Sequence, residues 1–557
     1  KPMAAIGEAI DFKLSAGELG GLMDTLFGSQ RPIYSDEVTS VYPTQKATNK
    51  AEAFANAQEV NLKLAEEGFV LLKNENAALP MNKGARISVF SKNSVNLSYG
   101  GSGSGGFDTS NNKNLYESLN DAGFVTNPTL KNFYESSQSG PVRTANSSDL
   151  DNGDNQKIAT AETPQNKYSD AVKNSYADYS DAALVVITRI GGEGFDLPRY
   201  QGDSEGAVSP DSHYLELDQN EIDLLTAVTD GTFKRVVVVF NTPSSFEATF
   251  LKDSAYAAFA DKIDAAVWIG FTGSNGITAL GEILNGDVNP SGRLVDPYVH
   301  DNMSSAAMQN FGDYRYVNED GSLSGYSYVN YAEGIYVGYK YYETRYEDAV
   351  LKQGNAGDYD YAATVAYPFG YGLSYTDFEW SDLKVDWDGD LCTASVTVKN
   401  TGFTSGKDVV EFYVQSPYIP GGVEKAAVAL AQYVKTAELA PGESQRVSVT
   451  FSKQDIASYD AKDAKTYVID AGDWYVTAAH DAHEAVNNVL AAKGKTTADG
   501  MTANGNTAMA AKYTVSEREL LNKDAVSGAE VTNQLDDIVY ADDTVYLSRS
   551  DWSVMDN

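Results

Sequence analysis

Six consecutive apolar residues, Ala182-Ala183-Leu184-Val185-Val186-Ile187, constrain this chain more than any other feature. The run is short and shows no apolar–polar alternation, so it reads as a strand buried on both faces. A sheet holding such a strand needs cover on two sides, which helices joining parallel strands provide. The neighbouring pattern agrees. Residues 69–72, 86–90, 236–240 and 265–269 read as further strands, and residues 51–67, 219–228 and 276–284 carry helical spacing. In the first of these helices Ala53, Phe54, Ala57, Val60 and Leu64 share a face, which is expected to pack inward. Residues 49–375 are therefore expected to form a mostly parallel α/β sandwich, with loop-rich insertions near 130–170 and 300–365.

After residue 375 the period changes. Residues 392–398, 409–414, 445–451 and 474–477 read as short strands between turn signals such as Asn400-Thr401-Gly402 and Pro441-Gly442-Glu443. Residues 376–489 are expected to form a second domain, a β-sandwich. Residues 490–557 lack sustained periodicity and read as a linker, with a short helix over 515–522 and brief strands at 539–540 and 545–547. Residues 1–48 read as an arm, with one helix over 15–27 weakened by Gly20 and Gly21.

A length of 557 residues exceeds what one core supports. The formal net charge of −36 argues against nucleic acid and anionic membrane surfaces as partners, and leaves neutral partners such as sugars open. The 36 tyrosines suit polyol recognition as well as core edges. One cysteine, Cys392, excludes an internal disulfide and a cysteine-rich zinc site. No stretch approaches the length of a membrane span. Compartment is left open, with the single cysteine and the absence of an initiator Met leaning toward a secreted or cell-surface protein.

The apolar run leads into Arg189-Ile190-Gly191-Gly192-Glu193-Gly194-Phe195-Asp196. Glu193 should stand on a loop at the carboxyl end of a strand, where α/β sheets place functional residues. It reads either as a proton donor or acceptor, or as a solvated loop glutamate. Its neighbours Ile190 and Phe195 are expected to raise its pKa by desolvation. Asp196 reads as a partner of Glu193 or as a cap of the next turn. A second cluster, Gly100-Gly101-Ser102-Gly103-Ser104-Gly105-Gly106, fits G-x-G-x-x-G, but no apolar helix start follows it. It reads as a pocket edge or a tight turn rather than a dinucleotide site. His480 and His483 are spaced for a metal but lack an evident third ligand. Neither a metal nor a cofactor is expected. Carboxylate chemistry remains, and glycoside hydrolysis needs two carboxyl groups.

Six blocks in order extend these observations. They are Glu66–Glu75 with Leu79-Pro80, Ile87–Phe90 with the loop Gly100–Gly106, Gly192–Asp196, Gly286–Leu294, Glu333–Tyr339 and Pro368–Tyr375. With them the chain resembles glycoside hydrolase family three, the β-glucosidase and β-xylosidase group, and residues 376–487 resemble its fibronectin-type-III-like module. The family usually begins with a (β/α)8 barrel carrying an aspartate nucleophile. Here the order is similar to that of a circularly permuted subgroup, with residues 490–557 leading toward a barrel absent from this chain.

The resemblance implies a retaining, exo-acting β-glycosidase, foremost a β-glucosidase, in which Glu193 is the general acid/base and the nucleophile lies on another fragment. It implies that Gly101, Ser102, Gly103, Ser104 and Asp196 border a β-linked glycoside. Ser550-Asp551-Trp552 is similar to the nucleophile motif, but lacks the preceding apolar strand, and the role is not transferred. Leu197-Pro198 stands where the family often has an arginine. A non-catalytic carbohydrate-binding or structural subunit is the alternative, and homo-oligomerisation stays open.

Overall fold

The computed structural model describes residue 47 and residues 49–101, 103–143, 160–193, 197–202, 204–252, 256, 258–311, 314–328, 330–533 and 545–552. The arm's expected helix over 15–27 lies outside them, as do the expected strand at 539–540, Ser102 and Asp196. The chain divides into two compact units, Lys1–Ala57 and Gln58–Asn557.

The first domain is built on six strands: β1 (Val70–Asn74), β2 (Arg86–Phe90), β3 (Val125–Thr126), β4 (Ala182–Thr188), β5 (Val236–Asn241) and β6 (Ala265–Trp268). Their order is β1-β6-β5-β4-β2-β3. All neighbours run parallel except the edge strand β1, which pairs antiparallel with β6. Every residue of β4 and β5 is buried, as continuous apolar runs require when helices cover both faces.

The pleat divides the core in two. Val70, Leu72, Val185, Ile187, Val238 and Phe240 share one cluster with α3 (Pro128–Glu135) and α4 (Gln219–Val228). Leu71, Leu184, Val186, Val237 and Val239 face the opposite cluster, with α2 (Leu115–Asp121) and α5 (Ile277–Asn285). The two faces of one strand thus feed two cores, the period-2 rule at work.

Three expectations are corrected in this half. Helix α1 (Lys50–Gly68) forms, but Phe54, Val60 and Leu64 are exposed and Ala65 is its buried residue. Periodicity identifies an amphipathic helix without specifying what covers the apolar side. The insertion near 130–170 contains α3. That near 300–365 contains the hairpin Tyr314–Val317/Leu323–Tyr328 and the 13-residue helix α6 (Tyr339–Leu351). The inward face of α6 carries Glu343, Glu347 and Asp348, all buried, so hydropathy could not reveal it.

The second domain packs a three-stranded sheet (Phe378–Asp388, Leu391–Asn400, Ser444–Ser452) on a four-stranded one (Ala429–Lys435, Val409–Gln415, Gly472–Ala479, Ala510–Val515). Trp380, Val396, Phe412, Val449, Trp474 and Val476 fill the space between them. Helix α7 (Ala482–Ala492) follows, buried along one side. The segment after residue 489 does not leave the domain at once, because Ala510–Val515 pairs with Gly472–Ala479 as an edge strand. Residues 515–522 are not helical: Glu519–Leu521 is a strand paired with Thr466–Ile469. Residues 545–547 make no strand.

At Ser550-Asp551-Trp552, Trp552 is buried, its indole N–H donating to Asp348 over 2.9 Å. Arg549 is buried between Glu347 and Asp348. Asp551 is exposed in a turn.

Candidate active site

Three loops meet at the carboxyl ends of the parallel strands, where open α/β sheets bind ligands. Asn241, the last residue of β5 and fully buried, joins two of them. Its side chain accepts from the Ser98 amide (2.7 Å) and donates to Ser98 (2.9 Å) and Gly270 (2.7 Å) carbonyls. The loop after β2 is thereby held to the loop after β6. The Gly273 amide adds a bond to the Tyr99 carbonyl.

The loop after β4 is anchored by Arg189. Its guanidinium is fully buried and meets both oxygens of Glu221 on α4 at 2.8 Å. It also donates to the carbonyls of Tyr214 (2.7 Å), Thr188 (3.0 Å) and Glu216 (2.5 Å). Nearby Asp218 is pushed up to about 7 by burial and by the Glu221 charge, with Arg189 opposing. Such bidentate pairing fixes geometry as well as charge.

From this anchor the chain runs four residues to Glu193. Its carboxylate accepts the Ser104 amide at 2.5 Å and the Ser104 hydroxyl. Gly103 adopts φ +60°, and a Cβ there would lie 2.5 Å from Glu193 Oε2; only glycine permits this approach. A Cβ on Gly101 would lie 3.8 Å from both the Gly191 carbonyl oxygen and the Phe271 ring. The structure therefore brings Gly101, Gly103, Ser104 and Glu193 together, while Ser102 and Asp196 lie outside the described residues.

The electrostatic expectation for Glu193 is corrected. Its carboxylate is exposed, and the two Ser104 hydrogen bonds hold its pKa below the usual glutamate value. Donors to the anion favour the anion, and the desolvation that opposes them is the smaller effect.

The glycine loop passes through the tight turn Gly103–Gly105, and the next helix begins only at Leu115. Its amides are not set at a helix N-terminus, as a pyrophosphate cradle requires.

His480 and His483 do not converge. His480 stacks on Trp380 at 3.9 Å and bonds Glu484 at 2.7 Å. His483 stacks on Tyr361 at 3.7 Å and bonds Glu343 at 2.9 Å. A different set, His213, Glu247 and Asp301, places three donor atoms within 4.8 Å of one another. The His213–Glu247 hydrogen bond (2.8 Å) and the backbone amides of Asn302 and Met303 already engage these donors.

Sequence reading missed Asn241, the Arg189–Glu221 pair and Glu162. The available signals were polar residues closing apolar runs. Glu162 is buried and accepts from the Ser91 hydroxyl and from the amides of Thr163 (2.8 Å) and Lys92 (3.4 Å). Lys92 is also buried, but directs its ammonium to Ser139 and to backbone carbonyls. Burial pushes the Glu162 carboxyl up to about 8. The unfolded chain ionises this group near 4.5, so its contribution to stability is whole below that pH and lost as pH rises through about 8. Glu162→Gln stays neutral throughout. Its stability relative to wild type should therefore increase between pH 5 and 8, by up to about 1.4 kcal/mol per unit. Urea unfolding at both pH values measures this, and a pH-independent difference would contradict it.

Comparison with known proteins places this arrangement. Residues 69–339 match the glycosyl hydrolase family 3 C-terminal domain, and residues 408–482 match a fibronectin type III-like domain. Beta-glucosidase A of Butyrivibrio fibrisolvens is 32% identical over 432 residues, covering 72% of this chain and 46% of that protein. A beta-glucosidase of Ruminococcus albus is 31% identical over 443 residues, covering 78% and 40% respectively. The chain thus spans less than half the length of either relative. The structure of beta-glucosidase 3B from Thermotoga neapolitana in complex with glucose superposes with a TM-score of 0.62 at 26% identity, covering 84% of this chain and 55% of that one. The chain therefore carries a glycosyl hydrolase family 3 C-terminal domain followed by a fibronectin type III-like domain.

Proposed function

We propose that this chain supplies the general acid/base, Glu193, of a retaining, exo-acting β-glucosidase. The aspartate nucleophile would come from a (β/α)8 barrel on polypeptide outside residues 1–557. The observation that carries the reading is the placement of Glu193: a carboxylate at the carboxyl end of β4, held against the glycine loop by Ser104. In the first half-reaction Glu193 protonates the leaving oxygen while the nucleophile attacks the anomeric carbon. In the second it takes a proton from the water that releases the sugar.

The Ser104 hydrogen bonds favour the base form. The acid form needs the exposed side of Glu193 to be covered, and a barrel closing over the sugar would supply that desolvation. Gly101, Ser102, Gly103, Ser104 and Asp196 are proposed to wall the sugar. The exposure of Glu193 in this chain also favours a second reading, a carbohydrate-binding subunit without chemistry.

Purified 1–557 should hydrolyse no p-nitrophenyl β-glucoside. Robust hydrolysis would overturn the two-part account. In the complete protein carrying Glu193→Gln, added azide should yield β-glucosyl azide, since a small anion needs no base to attack the glycosyl intermediate. Absence of that product, with turnover unchanged, would favour the non-catalytic reading.

A further inference from the structure

Asn241 closes the apolar strand β5, and its side chain is fully buried. Burying an amide costs free energy unless its polar atoms find partners. Here both do: the oxygen accepts the Ser98 amide, and the nitrogen donates to the carbonyls of Ser98 and Gly270. The backbone on either side is fixed as well. The Phe240 carbonyl accepts the Ile269 amide at 2.9 Å, and the Thr242 carbonyl accepts the Trp268 indole N–H at 2.9 Å. The two loops that Asn241 joins are themselves held. Beyond Gly270, the Asn61 side chain of α1 donates to the Thr272 carbonyl (3.2 Å) and to the Asn275 side chain (2.8 Å). Beyond Ser98, the Tyr99 carbonyl accepts the Gly273 amide, and Gly101 lies against Gly191 and Gly192, the two residues before Glu193.

From these contacts we propose that Asn241 is a positioning residue for Glu193: it locks the loop after β2 to the loop after β6, and so fixes the distance at which Ser104 meets the carboxylate. The inference rests on reading Glu193 as the acid/base and adds how that group is held. Three observations carry it. The loop locked by Asn241 touches the Glu193 loop directly, through Gly101 against Gly191 and Gly192. Ser104 gives both its amide and its hydroxyl to one oxygen, Oε2 of Glu193, so a small displacement of its backbone alters two bonds together. Gly103, at φ +60°, has no side chain to take up slack, which leaves the gap to whatever fixes the backbone. The chemical consequence follows from charge. When Glu193 gives its proton to the leaving oxygen, the electron pair of its O–H bond stays on the carboxylate. The Ser104 donors stabilise that new charge only where they are already in place.

The test is the titration of Glu193 in the full 557-residue chain, followed by carbon NMR on glutamate labelled at Cδ and assigned by the signal lost in Glu193→Gln. Ser104→Ala should move the titration upward, toward the ordinary glutamate value, because one donor to the anion is gone. Asn241→Ala, which adds no charge, should move it the same way. In the Ser104→Ala background the effect of Asn241→Ala should shrink, since both then act on one contact. An Asn241→Ala titration that coincides with wild type, with circular dichroism unchanged, would overturn the proposal. So would full additivity, which would mean that Asn241 reaches Glu193 by a route other than Ser104. If Asn241→Ala does not fold, amide hydrogen exchange in wild type decides. The Ser98 and Ser104 amides should both be protected, and a freely exchanging Ser104 beside a protected Ser98 would show that the lock ends short of Glu193. In the complete protein, Asn241→Ala should lower kcat on an alkyl glucoside roughly tenfold with KM little changed, since misplacement by about 1 Å costs up to about 10²-fold. An unchanged kcat would overturn the positioning role. The titration does not depend on turnover, so failure of the acid/base reading, seen as wild-type turnover by Glu193→Gln, is distinguishable from failure of this one.

Discussion

Arg189→Met should destabilise the α/β domain by about 3–5 kcal/mol, the usual result of removing one partner from a buried ion pair. The guanidinium is fully buried and Glu221 is 3% exposed, so the orphaned carboxylate has no route to water. Methionine fills much of the volume but restores none of the five hydrogen bonds to Glu221 and to the carbonyls of Thr188, Tyr214 and Glu216. The double variant Arg189→Met/Glu221→Leu should recover part of the loss. Recovery should be incomplete because Glu221 also accepts the Asp218 amide at the start of α4, at 2.9 Å. Urea unfolding monitored on this domain tests the prediction; a loss below about 1 kcal/mol would mean that the pair is dispensable to the loop it anchors.

In the complete protein, Glu193→Gln should lower turnover on aryl β-glucosides by roughly 10²-fold or more, the scale of general acid–base catalysis. Glutamine keeps the shape and can still accept from Ser104, so folding should be unchanged. The size of the loss should depend on the leaving group. A dinitrophenolate leaves without a proton, so glycosylation of the nucleophile should survive on that substrate and deglycosylation should become limiting. An alkyl glucoside needs the proton at the first step and should suffer most. Equal losses on both substrates would remove the acid role, and turnover near wild type would remove Glu193 from the mechanism. The depressed pKa of Glu193 sharpens the point. If the chain alone already presents the base form, the acid form is a property of the assembled site, created by whatever covers the exposed side of Glu193.

Most of the α/β scaffold was legible because its strands are continuous apolar runs. Residues 182–187 and 236–240 can satisfy neither a solvated helix nor a half-exposed strand, so they dictate a sheet covered on both sides. Elements whose buried faces are polar were not legible. Helix α6 hides Glu343, Glu347 and Asp348 by pairing them with His483, Lys493, Arg549 and Trp552, the last three at least 146 positions away in sequence. Edge strand Ala510–Val515 was missed for a related reason, since partner geometry rather than composition decides whether a modest segment pairs.

At the site, sequence alone determined that a carboxylate stands between glycines just beyond a buried strand, because backbone freedom and apolar patterning are local properties. Only the tertiary structure decided what that carboxylate experiences. Ser104 reaches Glu193 from 89 positions away and favours its anion, where neighbouring Ile190 and Phe195 had suggested the neutral acid. A side chain's charge state follows from the groups and solvent that surround it in space, and those are set by long-range packing that no local window contains.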